Sequence, residues 1–142
     1  MKKFLIGLTL SSLILIPVTS VSASENSNGG TWSNEIRFTV NSGGTTSWSN
    51  AGVSTASNKK ATESGSWDVN VLARTMSSRP LVRLSNSSGS ALSNSITVPS
   101  NNGTAIGTGN TVKTGETCRS QVRPAFNQAT NSQTMRYKFS AR

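Results

Sequence analysis

Histidine is absent from this 142-residue chain. That removes the commonest general base near neutral pH, the usual nitrogen ligand for metals, and the partner of Ser-His and Cys-His nucleophiles. Cysteine occurs once, at Cys118, so no internal disulfide can form, and a zinc site built from Cys and His has too few ligands. Neither a metal nor a cofactor is expected. Acidic residues are scarce as well: Glu25, Glu35, Glu63, Asp68 and Glu116 stand against 14 Lys and Arg. A glycosidase needs two carboxyl groups facing each other across one bond. Glu35 and Asp68 lie on or beside strand candidates and could meet only by chance; surface charge paired with Arg is the simpler reading. Neither a phosphate-cradling P-loop nor a dinucleotide fingerprint is present. Cys118 is a nucleophile only in principle, since its place on an alternating strand reads as a small buried apolar residue. The chain reads as non-enzymatic.

Long apolar runs are missing too, with one exception. Met1-Lys2-Lys3 precedes Phe4 to Pro17, FLIGLTLSSLILIP, and Val21-Ser22-Ala23 follows with small residues. This three-part pattern is that of a secretory signal, and the run is shorter than the ~20 apolar residues that span a bilayer. Residues 1–23 are therefore read as a signal peptide, and the protein as secreted and extracellular. Loss of Lys2 and Lys3 lowers the net charge from +9 by two, to +7 on residues 24–142. Charge of that size favours anionic partners, and it also keeps a small exported protein soluble.

What is present reads as strands. Trp67, Val69 and Val71 alternate with Asp68, Asn70 and Leu72, and Leu81 to Leu84 forms a second short candidate. We expect these two to pair as a central antiparallel unit, with Pro80 at the start of the second. Glu35 to Val40 alternates Ile36, Phe38 and Val40 with Arg37 and Thr39. Thr117 to Arg123 alternates Cys118, Ser120 and Val122 with Arg119, Gln121 and Arg123. Met135, Tyr137, Phe139 and Ala141 alternate with Arg136, Lys138, Ser140 and Arg142. Weaker candidates are 45–55, Ile96 to Val98 and Thr111 to Lys113, whereas 58–65 reads as a charged loop and Asn102-Gly103 as a turn. No window outside the signal has a helical period. About eight short strands with Gly-, Asn- and Ser-rich turns predict an all-β, single-domain antiparallel β-sandwich over 35–142, with a small β-barrel as the alternative. Residues 24–34 form a flexible lead-in.

Candidate binding residues follow from the same alternation. Arg37, Arg119, Arg123, Arg136, Lys138 and Arg142 fall on outward positions, and no acidic residue occurs from Thr117 onward. If the strands at 117–123 and 135–142 are neighbours, these cations share one anion-binding face. Trp32 and Trp48 sit in Ser, Asn and Gly surroundings, where an exposed indole can stack on sugar rings.

The Gly65 to Val71 strand, the cationic stretch Met135 to Arg142 and the signal together resemble small secreted β-rich proteins of Gram-positive bacteria that carry no assigned function. The resemblance implies a secreted all-β domain and carries over no functional residue. A more distant likeness is to the secreted β-sandwich bacteriocins of lactic acid bacteria, which are generally shorter and usually contain His. The expected function is binding to an anionic or glycan-rich cell-envelope surface, either a cell-wall polymer or an anionic membrane. Nucleic acid is the less favoured partner. The alternative is a bacteriocin-like antagonist of competitor envelopes.

The signal pattern has a direct consequence. Mass spectrometry of exported protein should give a chain beginning at Ser24; a product retaining Phe4 to Pro17 overturns the secretory reading.

Overall fold

The computed structural model describes residues 24–40, 47–76, 78–99, 102–125 and 133–142. Residues 1–23, read as the signal, and residues 41–46 lie outside them. Eight strands follow in order: β1 (Ile36–Val40), β2 (Asn58–Lys59), β3 (Trp67–Arg74), β4 (Leu81–Ser85), β5 (Ile96–Thr97), β6 (Gly103–Gly107), β7 (Thr117–Arg123) and β8 (Gln133–Ser140). They build two four-stranded antiparallel sheets, ordered β1-β8-β3-β6 and β2-β7-β4-β5. Neither closes on itself, so the architecture is the expected sandwich and not a barrel.

The alternation explains why the sheets stack. Trp67, Val69 and Val71 of β3 and Met135, Tyr137 and Phe139 of β8 turn inward from the first sheet. Val82 and Leu84 of β4 and Cys118 and Val122 of β7 meet them from the second. Burying such side chains is the main favourable term in folding. One polar contact crosses this interior: the Tyr137 hydroxyl lies 2.8 Å from the Ser120 hydroxyl, both buried. Burial raises the Tyr137 phenol well above its usual range, so it stays neutral. Cys118 is buried in the same layer, as its alternation predicts, and burial pushes its thiol up to about 12.

Trp67 decides the composition of its neighbour. Its cross-strand partner on β6 is Gly107, and a Cβ at Gly107 would overlap the indole ring. A side chain there is excluded by close approach, and β6 reads as a turn-prone GTAIG. Expecting a turn at Asn102-Gly103 therefore missed a strand.

Five other features also differ from expectation. β3 and β4 do not pair; they belong to opposite sheets. The connection between them lacks Gly, Asn and Asp, and it buries Met76 and Pro80, so the chain passes across the core's rim and does not reverse in a tight turn. Within 45–55, Trp48–Asn50 is a single 3-10 turn capped by Ser47, and Val53 makes one bridge to Gln121. Residues 111–113 are not a strand, though Val112 is buried. Asn58–Lys59, expected in a loop, is an edge strand beside β7. Residues 24–34, expected as a flexible lead-in, lie against the first sheet: Glu25 bridges Thr31, and Ser33 bonds Phe139 at both its backbone N–H and its hydroxyl.

The Trp67–Gly107 contact can be tested from either side. Trp67→Ala should cost ~3–5 kcal/mol, a large part of the ~5–15 kcal/mol a domain holds. Gly107→Ala should cost at least ~1–3 kcal/mol by overpacking. Thermal or denaturant unfolding of both variants checks this, and wild-type stability in either would contradict the packing described.

Candidate anion-binding face

The sandwich divides the basic residues between two outer faces. Arg37, Arg136, Lys138 and Arg142 belong to the first sheet's side, Arg119 and Arg123 to the second's. β7 and β8 are not neighbours, so the single cationic face expected from their alternation does not form. The cause is the crossing of Tyr137 and Ser120 through the core, which turns the outward residues of β7 and β8 in opposite directions.

On the first face the cations meet carboxylates. Arg136 forks onto Glu35, with Nε 2.6 Å from Oε1 and Nη2 2.9 Å from Oε2, both partners being exposed. That contact holds the Glu35 carboxyl below its usual range and raises Arg136. Arg142 forks onto Asp68, whose carboxylate has no exposure. Asn26 donates to the same Oδ2 at 2.6 Å, and Asn28 does so at 3.4 Å. Burial alone would raise the Asp68 carboxyl, but Arg142, Asn26 and Asn28 outweigh it and leave it lowered. Glu35 and Asp68 are thus each held by a separate arginine. Arg37 and Lys138 remain, opposite Arg136 and Asn70 in register.

The second face is different. β4 and β7 pair so that Arg83 stands opposite Gln121, one outward position from Arg123. The 3-10 turn brings Trp48 over both. The Arg83 guanidinium carbon lies 4.2 Å from the indole centroid and that of Arg123 lies 4.9 Å from it. Arg83 is fixed further by Nε and Nη2 bonds to Gln121 Oε1, at 3.0 and 2.8 Å, while Gln121 donates to the Ala51 carbonyl. Arg119 folds over the adjacent edge onto the Ser54 and Thr55 carbonyls. None of Arg83, Arg119 and Arg123 forms an ion pair among the described residues. Arg83 is lowered from its usual pKa, first by burial and then by the charge of Arg123. Two like charges are therefore held together with an indole between their interests and no carboxylate to relieve them.

This geometry changes the part assigned to Trp48. Its ring already carries two guanidinium groups, which compete with a sugar for the indole. Trp32 is half-buried in the wall of a groove of about 340 Å³, together with Asn34, Ser57, Lys59 and Thr117. A second hollow, of about 240 Å³, opens between β1 and residues 52–55. Arg83 and Gln121 were not among the expected site residues. The alternation of Arg83 with Val82 and Leu84 signals an outward side chain, but not the β4–β7 pairing that gives it meaning.

Scans against protein-family models, curated proteins and solved structures each find no match. Among the described residues no group of three or more Cys, Asp or Glu could hold a metal ion.

Asp68 supplies the test of this arrangement. Asp68→Asn leaves Arg142 without its counter-charge and should cost about 3 kcal/mol, the scale of a broken buried pair. A lowered carboxyl contributes stability that is complete above its unfolded pKa of about 3.9 and is lost as pH falls from there toward the folded value. The melting-temperature gap between wild type and Asp68→Asn should therefore be widest near neutral pH and close below about pH 4. A gap that persists unchanged at low pH would contradict the ionised pair.

Proposed function

We propose that this protein is an exported, non-enzymatic binder of an anionic polymer of the cell envelope, and that it binds through the outer face of the second sheet. One observation carries the reading. Arg83 and Arg123 converge on Trp48 beside Arg119, with no ion pair among the described residues. Arginine presents a planar fork suited to phosphate and carboxylate oxygens, and a guanidinium already partly desolvated loses less water on binding. The overall excess of basic residues draws polyanions toward the molecule at long range. The first face is the weaker candidate, because Glu35 and Asp68 already engage Arg136 and Arg142.

Retention on immobilised polyphosphate and on purified bacterial cell wall tests the reading. Exposed charges are screened beyond about 8 Å at physiological ionic strength, so retention should fall steeply with added salt. Arg83→Gln with Arg123→Gln should lower the salt needed for elution substantially. Arg136→Gln with Lys138→Gln should lower it less, since Arg136 is already paired. Equal losses from the two double variants would show net charge acting without a site. Retention insensitive to salt, or no retention at low salt, would overturn the proposal.

A further inference from the structure

The groove at Trp32 and the arginine cluster lie on one line. Lys59 of β2 is the register partner of Thr117 on β7, so both project to the same side. Thr117, Arg119, Gln121 and Arg123 are successive outward positions of β7. Six residues of strand span roughly 20 Å. The second sheet's outer face therefore runs from the Trp32 groove at one end of β7 to Arg83, Arg123 and Trp48 at the other.

The groove has the composition of a small-molecule subsite. Residues 31–34 are held beside β2, with the Asn58 amide donating to the Thr31 carbonyl at 2.7 Å and Trp32 N–H donating to Ser24. This leaves the Trp32 indole in the wall. The side chains of Asn34, Ser57, Lys59 and Thr117 are exposed and make no hydrogen bond or ion pair among the described residues. The volume, about 340 Å³, lies at the low end of the ~300–1,000 Å³ typical of ligand sites. An indole face beside uncommitted amide, hydroxyl and ammonium groups complements a pyranose ring, which offers one C–H face and a rim of hydroxyls.

We infer that the Trp32 groove is a saccharide subsite, and that with the arginine cluster it selects a glycan carrying negative charge within about 20 Å of the docked ring. The ligand class is an anionic polysaccharide, as distinct from a polyanion of any kind. The inference rests on the arginine face being the anion site, but the groove can be tested separately.

Two probes distinguish the parts: hyaluronan, which alternates N-acetylglucosamine with glucuronate, and polyphosphate, which has charge and no sugar. Trp32→Ala should weaken hyaluronan binding roughly tenfold, the scale of losing an interface anchor, and leave polyphosphate binding unchanged. Arg83→Gln with Arg123→Gln should weaken both. Should Trp32→Ala unfold, Asn34→Ala with Ser57→Ala alters exposed groove groups alone and should also weaken hyaluronan selectively. Hyaluronan binding unchanged in the groove variants, or loss of both probes together in a folded one, overturns the subsite. Trp32-dependent binding of single-stranded DNA as tight as that of hyaluronan overturns the saccharide assignment. Failure of polyphosphate to bind wild type, with Trp32-dependent hyaluronan binding retained, would instead remove the arginine reading and leave the groove standing.

Discussion

A carboxylate with no exposure to solvent sits near the start of β3, one of the two inner strands of the first sheet, and much of the surrounding chain satisfies it. An unpaired buried charge costs several kcal/mol, so Asp68 is tolerable only with its lone pairs filled. Arg142 supplies a fork, and Asn26 and Asn28 close the remaining side. Those partners lie far apart in sequence and must be held in place. The turn from Asn26 to Gly30 is fixed by its own backbone bonds, and Gly30, at φ +78°, approaches the Arg142 backbone so closely that a Cβ would lie 3.0 Å from its Cα. The residue just before Arg142 is tied on both sides by asparagines: Ala141 N–H donates to Asn58, and Ala141 C=O accepts from Asn110. Asn58 belongs to the second sheet, so this seam also joins the two layers.

The same seam shows why part of the fold was legible in the sequence and part was not. β3 and β8 could be read because each puts large apolar residues on one side over five or more positions, and β7 because Cys118, Ser120 and Val122 alternate with long polar side chains; burial enforces that period. Cys118, Trp67 and Tyr137 lie where their alternation puts them. Asn58 and Asn110 have the composition of turn residues, and nothing local distinguishes an exposed asparagine from one closing two backbone groups 27 to 83 residues away. β6 was hidden for a different reason. Gly107 is small because Trp67 needs the room, and that requirement belongs to the partner strand. Pairing of β4 with β7, and hence the position of Arg83, depends on a connection that changes sheets, which no short window records.

Charge partition follows from topology. Glu35 and Asp68 are both attached to the first sheet, where arginines of β8 and of the residues just beyond it reach them. β4 and β7 pair in the other layer, and no carboxylate pairs with Arg83, Arg119 or Arg123 there among the described residues. A patch of unrelieved guanidinium charge therefore arises on one side of the sandwich although acidic and basic residues are interspersed along much of the chain.

Such a patch must still be stable in the absence of a ligand. Repulsion between Arg83 and Arg123 is weakened because each lies over the negative face of Trp48, an interaction of about 0.5–2 kcal/mol according to its exposure. Gln121 contributes a neutral acceptor and is itself anchored to Ala51, so Arg83 is oriented without being neutralised. A glutamate at that position would bind Arg83 more strongly and cancel the charge. The neutral amide keeps the guanidinium in place while leaving its charge available to an incoming anion. This preorganisation, with loss of side-chain freedom already incurred on folding, separates the second face from a scatter of solvated arginines.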